Sequence, residues 1–224
     1  MLTQEIVTLD LFAGAGGLSL GFERAELGFT PTFAVEHDAA AARTFKAHFG
    51  CHVYDGPIED VEVFPHADVI IGGPPCQGFS PLGRDRDDLS RVQLNELWQQ
   101  YLRAIRCVRP KAFVIENVPE FQRSAQFGRL LQLLDNDPEL REYGYAFGVL
   151  NAADYGVPQS RRRGILMAVR GVDSVPWPPP ATHGPRSESQ CPHRTVADAI
   201  SDLPHATHGF DVSFDRTGTQ NLHF

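Results

Sequence analysis

No apolar run in this 224-residue chain approaches the roughly 18–20 residues that span a bilayer, and no charged-then-apolar leader opens it. The expected location is therefore the cytoplasm, with no membrane partner. Cysteine is scarce: four residues, at 51, 76, 107 and 191, lie far apart. That scatter is unlike a secreted disulfide framework or a paired metal motif. Cys191-Pro192-His193 has the look of half a zinc site, but no second half follows, so no metal is expected. Basic charge is in deficit, with 20 Lys and Arg against 28 Asp and Glu and a net charge of −8. Non-specific affinity for nucleic acid comes from cations facing phosphates, so this balance is awkward for a nucleic-acid enzyme. The deficit lies within residues 1–150, however. Residues 151–224 carry seven basic and seven acidic side chains, Arg161-Arg162-Arg163 among them, and can face a polyanion with help from another chain or domain. There are no internal repeats.

What is present is an alternation of strand and helix signals. Ile6 to Leu11 is apolar and β-branched, a buried strand; Phe12 to Gly17 is a glycine-rich turn; Leu18 to Ala25 has helical spacing. Strand, glycine turn and helix open a nucleotide-binding βαβ unit, although a glycine turn alone is equally a tight turn. The next strand, Thr32 to Val35, ends at Glu36, where a carboxylate is placed to accept from ribose hydroxyls. Together they point to an adenosine-bearing cofactor. A helix follows from His37-Asp38 to Phe49, with Asp38 as its cap. Strands are predicted at His52–Tyr54, Ala67–Ile71, Ala112–Ile115, Ala146–Leu150 and Gly164–Val169. Helices are predicted at Val92–Val108 and from about Phe121 to Leu134. The expected fold is α/β: a Rossmann-like, mostly parallel, doubly wound sheet whose last two strands, joined by a loop, form an antiparallel edge pair. Residues 1–173 form the expected cofactor-binding and catalytic domain. Residues 174–224 read as a loop-rich segment with one short capped helix, Thr195–Ile200, and no hydrophobic pattern able to make a core after Leu203.

The chemistry-bearing residues fall at the C-terminal ends of successive strands, where open α/β sheets bind ligands: Phe12 to Gly17, Glu36, Ile58, Pro75-Cys76 and Glu116. A free cysteine usually serves as a small buried hydrophobe. The Gly72-Gly73-Pro74-Pro75 approach to Cys76 and its Gln77-Gly78 exit are poor core surroundings, which favours a reactive thiol. Gly83 to Arg91 reads as a mobile loop, within a segment from Gln77 to Arg91 able to close over a substrate. Taken singly, Glu116 is also readable as a solvated end group and Arg161–Arg163 as surface charge.

Taken together, Asp10-Leu11-Phe12-Ala13-Gly14-Ala15-Gly16-Gly17, Gly73-Pro74-Pro75-Cys76-Gln77, Glu116-Asn117-Val118 and Gln159-Ser160-Arg161-Arg162-Arg163 resemble, in order, the motifs of the cytosine-C5 DNA methyltransferases. Val35-Glu36-His37-Asp38 and Leu94 match lesser motifs, and the resemblance covers about residues 5–205. It implies methyl transfer from S-adenosyl-L-methionine to C5 of a flipped cytosine in double-stranded DNA, in restriction–modification or DNA marking. Cys76 would be the nucleophile, with Glu116 acting at N3, Arg163 holding O2 with support from Arg161, and Asn117 orienting the thiol loop. A carboxyl at an apolar strand tip can be held protonated for such a role. Cofactor contacts are implied for Phe12, Ala15, Gly17, Glu36, His37, Ile58, Gly73, Pro75 and Leu94. Alternatives are a tRNA cytosine-C5 methyltransferase and an inactive, truncated nucleotide-binding or interaction module.

One position departs from the family pattern. Pro57 stands where the family often has an acid for the adenine amine, with Asp55 or Glu59 as substitutes. The family also continues into a target-recognition domain and a last helix that completes the cofactor pocket, neither recognisable after Leu203. The chain is therefore expected to be a subunit whose partner carries recognition, a truncated product, or a non-catalytic relic; intact chemical residues favour the first two.

Overall fold

A computed structural model of the chain describes residues 5–75, 96–185, 187–188 and 191–203. Its centre is a seven-stranded sheet in the order β3-β2-β1-β4-β5-β7-β6. The parallel members are β1 (Ile6–Leu11), β2 (Phe29–Glu36), β3 (His52–Asp55), β4 (Val69–Gly72) and β5 (Ala112–Asn117). Strand β7 (Arg162–Arg170) enters antiparallel between β5 and β6 (Tyr143–Asn151). The parallel sheet with its antiparallel pair is as the sequence predicts. The β6–β7 connection is more than a loop: Ala152–Tyr155 makes a 3₁₀ turn, started by the Asn151 side chain on the Ala153 amide and ended by Gly156 at φ 87°.

The helices are α1 (Gly17–Glu23), α2 (Ala39–Phe49), α3 (Leu97–Val108), α4 (Ala125–Asn136) and α5 (Val196–Ile200). Asp38 caps α2 as expected, accepting from the amides of Ala40 and Ala41. The helix expected from Phe121 is broken. Phe121–Arg123 forms a 3₁₀ turn, and Ser124 restarts the chain as N-cap of α4 by accepting from Phe127 N at 3.1 Å. Strand β2 begins earlier than expected and runs through Pro31. A proline donates no ladder bond, and the β1–β2 register slips by one residue there.

Each face of the sheet has its own cover. On one, Leu9, Leu11, Ile70, Phe113, Ile115, Leu166 and Ala168 pack with Trp98, Tyr101, Leu102 and Ile105 of α3 and with Phe127 and Leu130 of α4. The Tyr101 hydroxyl, fully buried, lies 2.8 Å from Val114 O and 3.1 Å from Ile70 O, bridging β5 and β4. On the other face, α1 and α2 lie over β1 to β3, with Ala34 and Phe45 at the centre of a smaller cluster. Beyond β7 the chain crosses β6. A Cβ on Gly144 would lie 2.2 Å from Val172 O, and one on Gly148 2.8 Å from Trp177 Nε1. The amides of Thr182 and His183 donate to Asp154 O, and His193 Nε2 lies 2.9 Å from Asp154 Oδ1. His193, read with Cys191 as half a metal motif, thus faces a carboxylate.

Candidate active site

The parallel strands all end at one edge of the sheet, and antiparallel β7 starts there. Residues at the ends of β1, β4 and β5 therefore share a cavity with Arg161. The turn after β1 takes left-handed backbone at Phe12 (φ 59°), Gly14 (φ 55°) and Gly16 (φ 94°). At Gly16 a Cβ would also sit 2.4 Å from Phe49, so glycine is required there. Phe12 is not a glycine; such a residue costs on the order of 1 kcal/mol and is found most often at binding sites.

Glu36 at the tip of β2 is 8% exposed. Its Oε2 accepts from Gly14 N at 2.7 Å and its Oε1 from Asp38 N at 2.8 Å, with His37 Nδ1 3.2 Å from Oε1. The carboxylate thus locks the glycine turn to β2. With about four lone-pair sites, it keeps acceptor capacity for hydroxyls of a ligand. Beside it opens a cavity of about 350 Å³ lined by Phe12, Glu36, His37, Pro57, Ile58, Glu59, Pro75 and Leu97, among others. Five predicted cofactor residues meet here: Phe12, Glu36, His37, Ile58 and Pro75. Ile58 is held in place by α3, because Arg103 donates to the carbonyls of Ile58 and Val61 at 2.7 and 2.8 Å. Leu97 was visible in the sequence only as one apolar position of an amphipathic helix. Pro57 forms wall without offering an acceptor side chain, whereas Glu59 lines the cavity and Asp55 does not.

A second cavity, about 420 Å³, shares Phe12 with the first and is lined by Asp10, Ala13, Gly17, Leu18, Gly73, Glu116 and Arg161. Glu116 Oε1 lies 2.7 Å from Arg163 Nε and 4.0 Å from Arg161 Nη2. The tip of β5 is therefore flanked by cations, not apolar as expected. The cause is register: Glu116 pairs with Ile165, so Arg163, two residues earlier, shares its face. A Cβ on Gly73 would come within 3.1 Å of Glu116 Oε2, so the glycine leaves room for the carboxylate. Asn117 Nδ2 donates to Pro74 O at 2.8 Å, and its Oδ1 accepts from Val118 N, tying the end of β5 to the turn after β4. Ala15 is exposed and lines neither cavity. Cys76, Leu94 and the loop expected over Gln77 to Arg91 lie outside the described residues; Pro75, next to Cys76, lines the first cavity.

Asp10 was read only as part of a strand motif. It is 1% exposed, accepts from Ser19 Oγ at 2.6 Å and lines the second cavity. Burial raises its carboxyl from 3.8 to about 7; the Ser19 bond opposes the rise and the nearby charge of Glu36 adds to it. No sequence signal distinguished it from a strand residue, because its position follows from the packing of α1 over β1.

Residues 6–221 match the family profile for C-5 cytosine-specific DNA methylase. Type II methyltransferase M.XorII of Xanthomonas oryzae pv. oryzae is 40% identical over 217 residues, spanning 89% of this chain and 47% of that protein. Type II methyltransferase M.AquIA of Picosynechococcus is 36% identical over 229 residues, spanning 89% of this chain and 89% of that protein. Among solved structures, a protein described as a DNA modification methyltransferase of an E. coli prophage superposes with a TM-score of 0.68. That likeness has 29% identity and covers 90% of this chain and 56% of the other. The chain thus spans about half the length of M.XorII and nearly all of M.AquIA.

Proposed function

We propose that this chain, which belongs to the C-5 cytosine-specific DNA methylase family, is the catalytic part of a DNA cytosine-C5 methyltransferase. The observation that carries the reading is the meeting, at one sheet edge, of Glu116, Arg161 and Arg163 with the Asn117-tethered Pro74 carbonyl, two residues before Cys76. The first cavity fits S-adenosyl-L-methionine. Its apolar walls, Phe12, Ile58, Pro75 and Leu97, suit a flat adenine, and Glu36 has acceptor capacity left for ribose hydroxyls. Gly17 and Gly73 line the way onward, with Glu59 the available acceptor for the adenine amine in place of an acid at Pro57. When bound, S-adenosyl-L-methionine supplies an electrophilic methyl group.

Cytosine C5 is too weak a nucleophile to take that methyl unaided. Addition of the Cys76 thiolate at C6 turns the ring into an enamine with a nucleophilic C5, dividing one hard step into two. The charge arising on the ring is met at N3 by Glu116 and at O2 by Arg163. The Arg163–Glu116 pair holds both groups at one spacing. Loss of the C5 proton after methylation restores the C5–C6 double bond and expels the Cys76 thiolate. Because stacked bases hide these atoms, the cytosine is flipped out of the duplex.

In this reading residues 1–173 carry the chemistry and residues 174–224 lead toward target recognition. Recognition then comes from a second subunit or from further C-terminal length of the kind that accounts for the greater size of M.XorII. The enzyme serves restriction–modification or DNA marking in the cytoplasm. The test is transfer of labelled methyl from S-adenosyl-L-methionine to duplex DNA, with 5-methylcytosine as the product scored. Transfer by wild type with its recognition partner, abolished in Cys76→Ala, is expected; product on an adenine, or undiminished transfer by the variant, contradicts the reading.

A further inference from the structure

Strand β7 reaches further than its neighbour β5. The β5–β7 ladder ends with Asn117 opposite Gly164, whereas the β6–β7 ladder runs on to Leu150 opposite Arg163 and Asn151 opposite Arg162. Arg163 therefore sits one residue past the last β5 pairing, and within the sheet β6 alone supports it. Its Nε nonetheless lies 2.7 Å from Glu116 Oε1, with the two side chains 26% and 28% exposed. A partly exposed ion pair is a weak restraint, so it does not by itself hold the strand in place.

The support comes from the chain that has just left β5. Past Val118 the backbone folds into the Phe121–Arg123 3₁₀ turn, with Phe121 N donating to Val118 O at 3.1 Å. Phe121 is 2% exposed and packs edge-on against Phe127, which fixes the turn. From it Gln122 reaches under the end of the sheet. Its Nε2 donates to Gly148 O of β6 at 3.1 Å and to Ile165 O of β7 at 3.2 Å. Both neighbours are carbonyls, which only accept, so the nitrogen with its two hydrogens faces them. Ile165 is the register partner of both Glu116 and Gly148, so the bridged carbonyls lie in the row of the sheet that contains Glu116. The approach needs bare backbone: a Cβ on Gly164 would come within 3.0 Å of Gln122 Cδ and Nε2. Successive residues of a strand face opposite sides, so Gln122 meets β7 on the side away from Arg163.

We propose that Gln122 is a positioning residue for the Glu116–Arg163 pair, tying the root of Arg163 to the chain that carries Glu116. The proposal rests on the catalytic reading above, in which the two side chains meet N3 and O2 of one ring. A small error in their spacing then lowers the rate. Gln122 carried no signal in the sequence, because its acceptors lie 26 and 43 residues away.

Gln122→Glu keeps the shape and sets a carboxylate against two carbonyl oxygens; Gln122→Met keeps the length without charge or donor. The readout is hydrogen exchange at arginine Nε–H, followed by NMR on the 15N-labelled chain, which needs neither DNA nor a partner. The Arg163 signal is identified by its loss in Arg163→Lys. Arg103 of α3, whose Nε donates to Gln100 Oε1 at 2.6 Å, is the internal standard. Both variants are expected to speed exchange at Arg163 at least tenfold and to leave Arg103 as in wild type; Gln122→Met decides if Gln122→Glu does not fold. In methyl transfer, Gln122→Met is expected to lower kcat roughly tenfold, the scale of a lost hydrogen bond. KM for S-adenosyl-L-methionine stays unchanged, since Gln122 lines neither cavity. Unchanged exchange at Arg163 in Gln122→Met shows that Gln122 does not hold it and overturns the proposal. So does exchange that speeds equally at Arg103, which makes Gln122 a residue of general stability. A change specific to Arg163 in a protein that never methylates keeps the brace and overturns the catalytic reading; an active enzyme with Arg163 exchange unchanged does the reverse.

Discussion

Glu116 and Asp10 are two carboxyls lining one cavity in opposite surroundings, and the difference sets what each can do. Glu116 faces Arg163 and Arg161. Replacing it by Gln keeps the size and removes the acid, so kcat for methyl transfer is expected to fall roughly 10²-fold, the usual scale of a lost general acid. A steady-state assay that found kcat unchanged would remove Glu116 from the chemistry. Asp10 is buried, and its carboxyl is raised from 3.8 to about 7. The folded chain therefore keeps that proton between about pH 4 and pH 7, where the unfolded chain has released it. Stability from this group is full below about pH 4, falls as pH rises, and is lost above about pH 7. Three units correspond to on the order of 4 kcal/mol. Urea unfolding at intervals across that range should show the gap between wild type and Asp10→Asn changing by about this amount, with Asn still able to accept from Ser19. Glu36 was legible in the sequence because a carboxylate at a strand tip has few other uses. Asp10 was not, since its burial depends on where α1 settles.

At the scale of elements, the site is made by strand ends and by the ties between them. Asn117 joins the end of β5 to Pro74, just ahead of the thiol. Asn117→Asp removes the donor and sets a carboxylate against a carbonyl. The expected result is a kcat about tenfold lower, near the 1.4 kcal/mol scale of one hydrogen bond, with KM for S-adenosyl-L-methionine little changed. A rise in KM alone would place Asn117 on the cofactor side instead. The order of strands and helices was readable because apolar runs and helical spacing alternate cleanly. The break at Phe121–Arg123 and the slip at Pro31 were not, because each reflects a local bond, Ser124 on Phe127 N and a missing proline amide. The cation flank of Glu116 needed the β5–β7 register, which no single stretch of sequence contains.

For the whole molecule, the sequence told more about reaction than about assembly. Cys76, Glu116 and Arg163 are 40 and 47 residues apart in succession, yet their residue types already implied one chemistry. The central claim is a covalent bond between Cys76 and C6 of a flipped cytosine, and trapping reads it directly. In 5-fluorocytosine DNA the fluorine leaves no C5 proton to lose after methylation, so the adduct persists. With S-adenosyl-L-methionine and the recognition partner present, mass spectrometry should find the DNA base on the peptide containing Cys76. An active complex that yields no adduct, or one on Cys51, Cys107 or Cys191, would contradict the account.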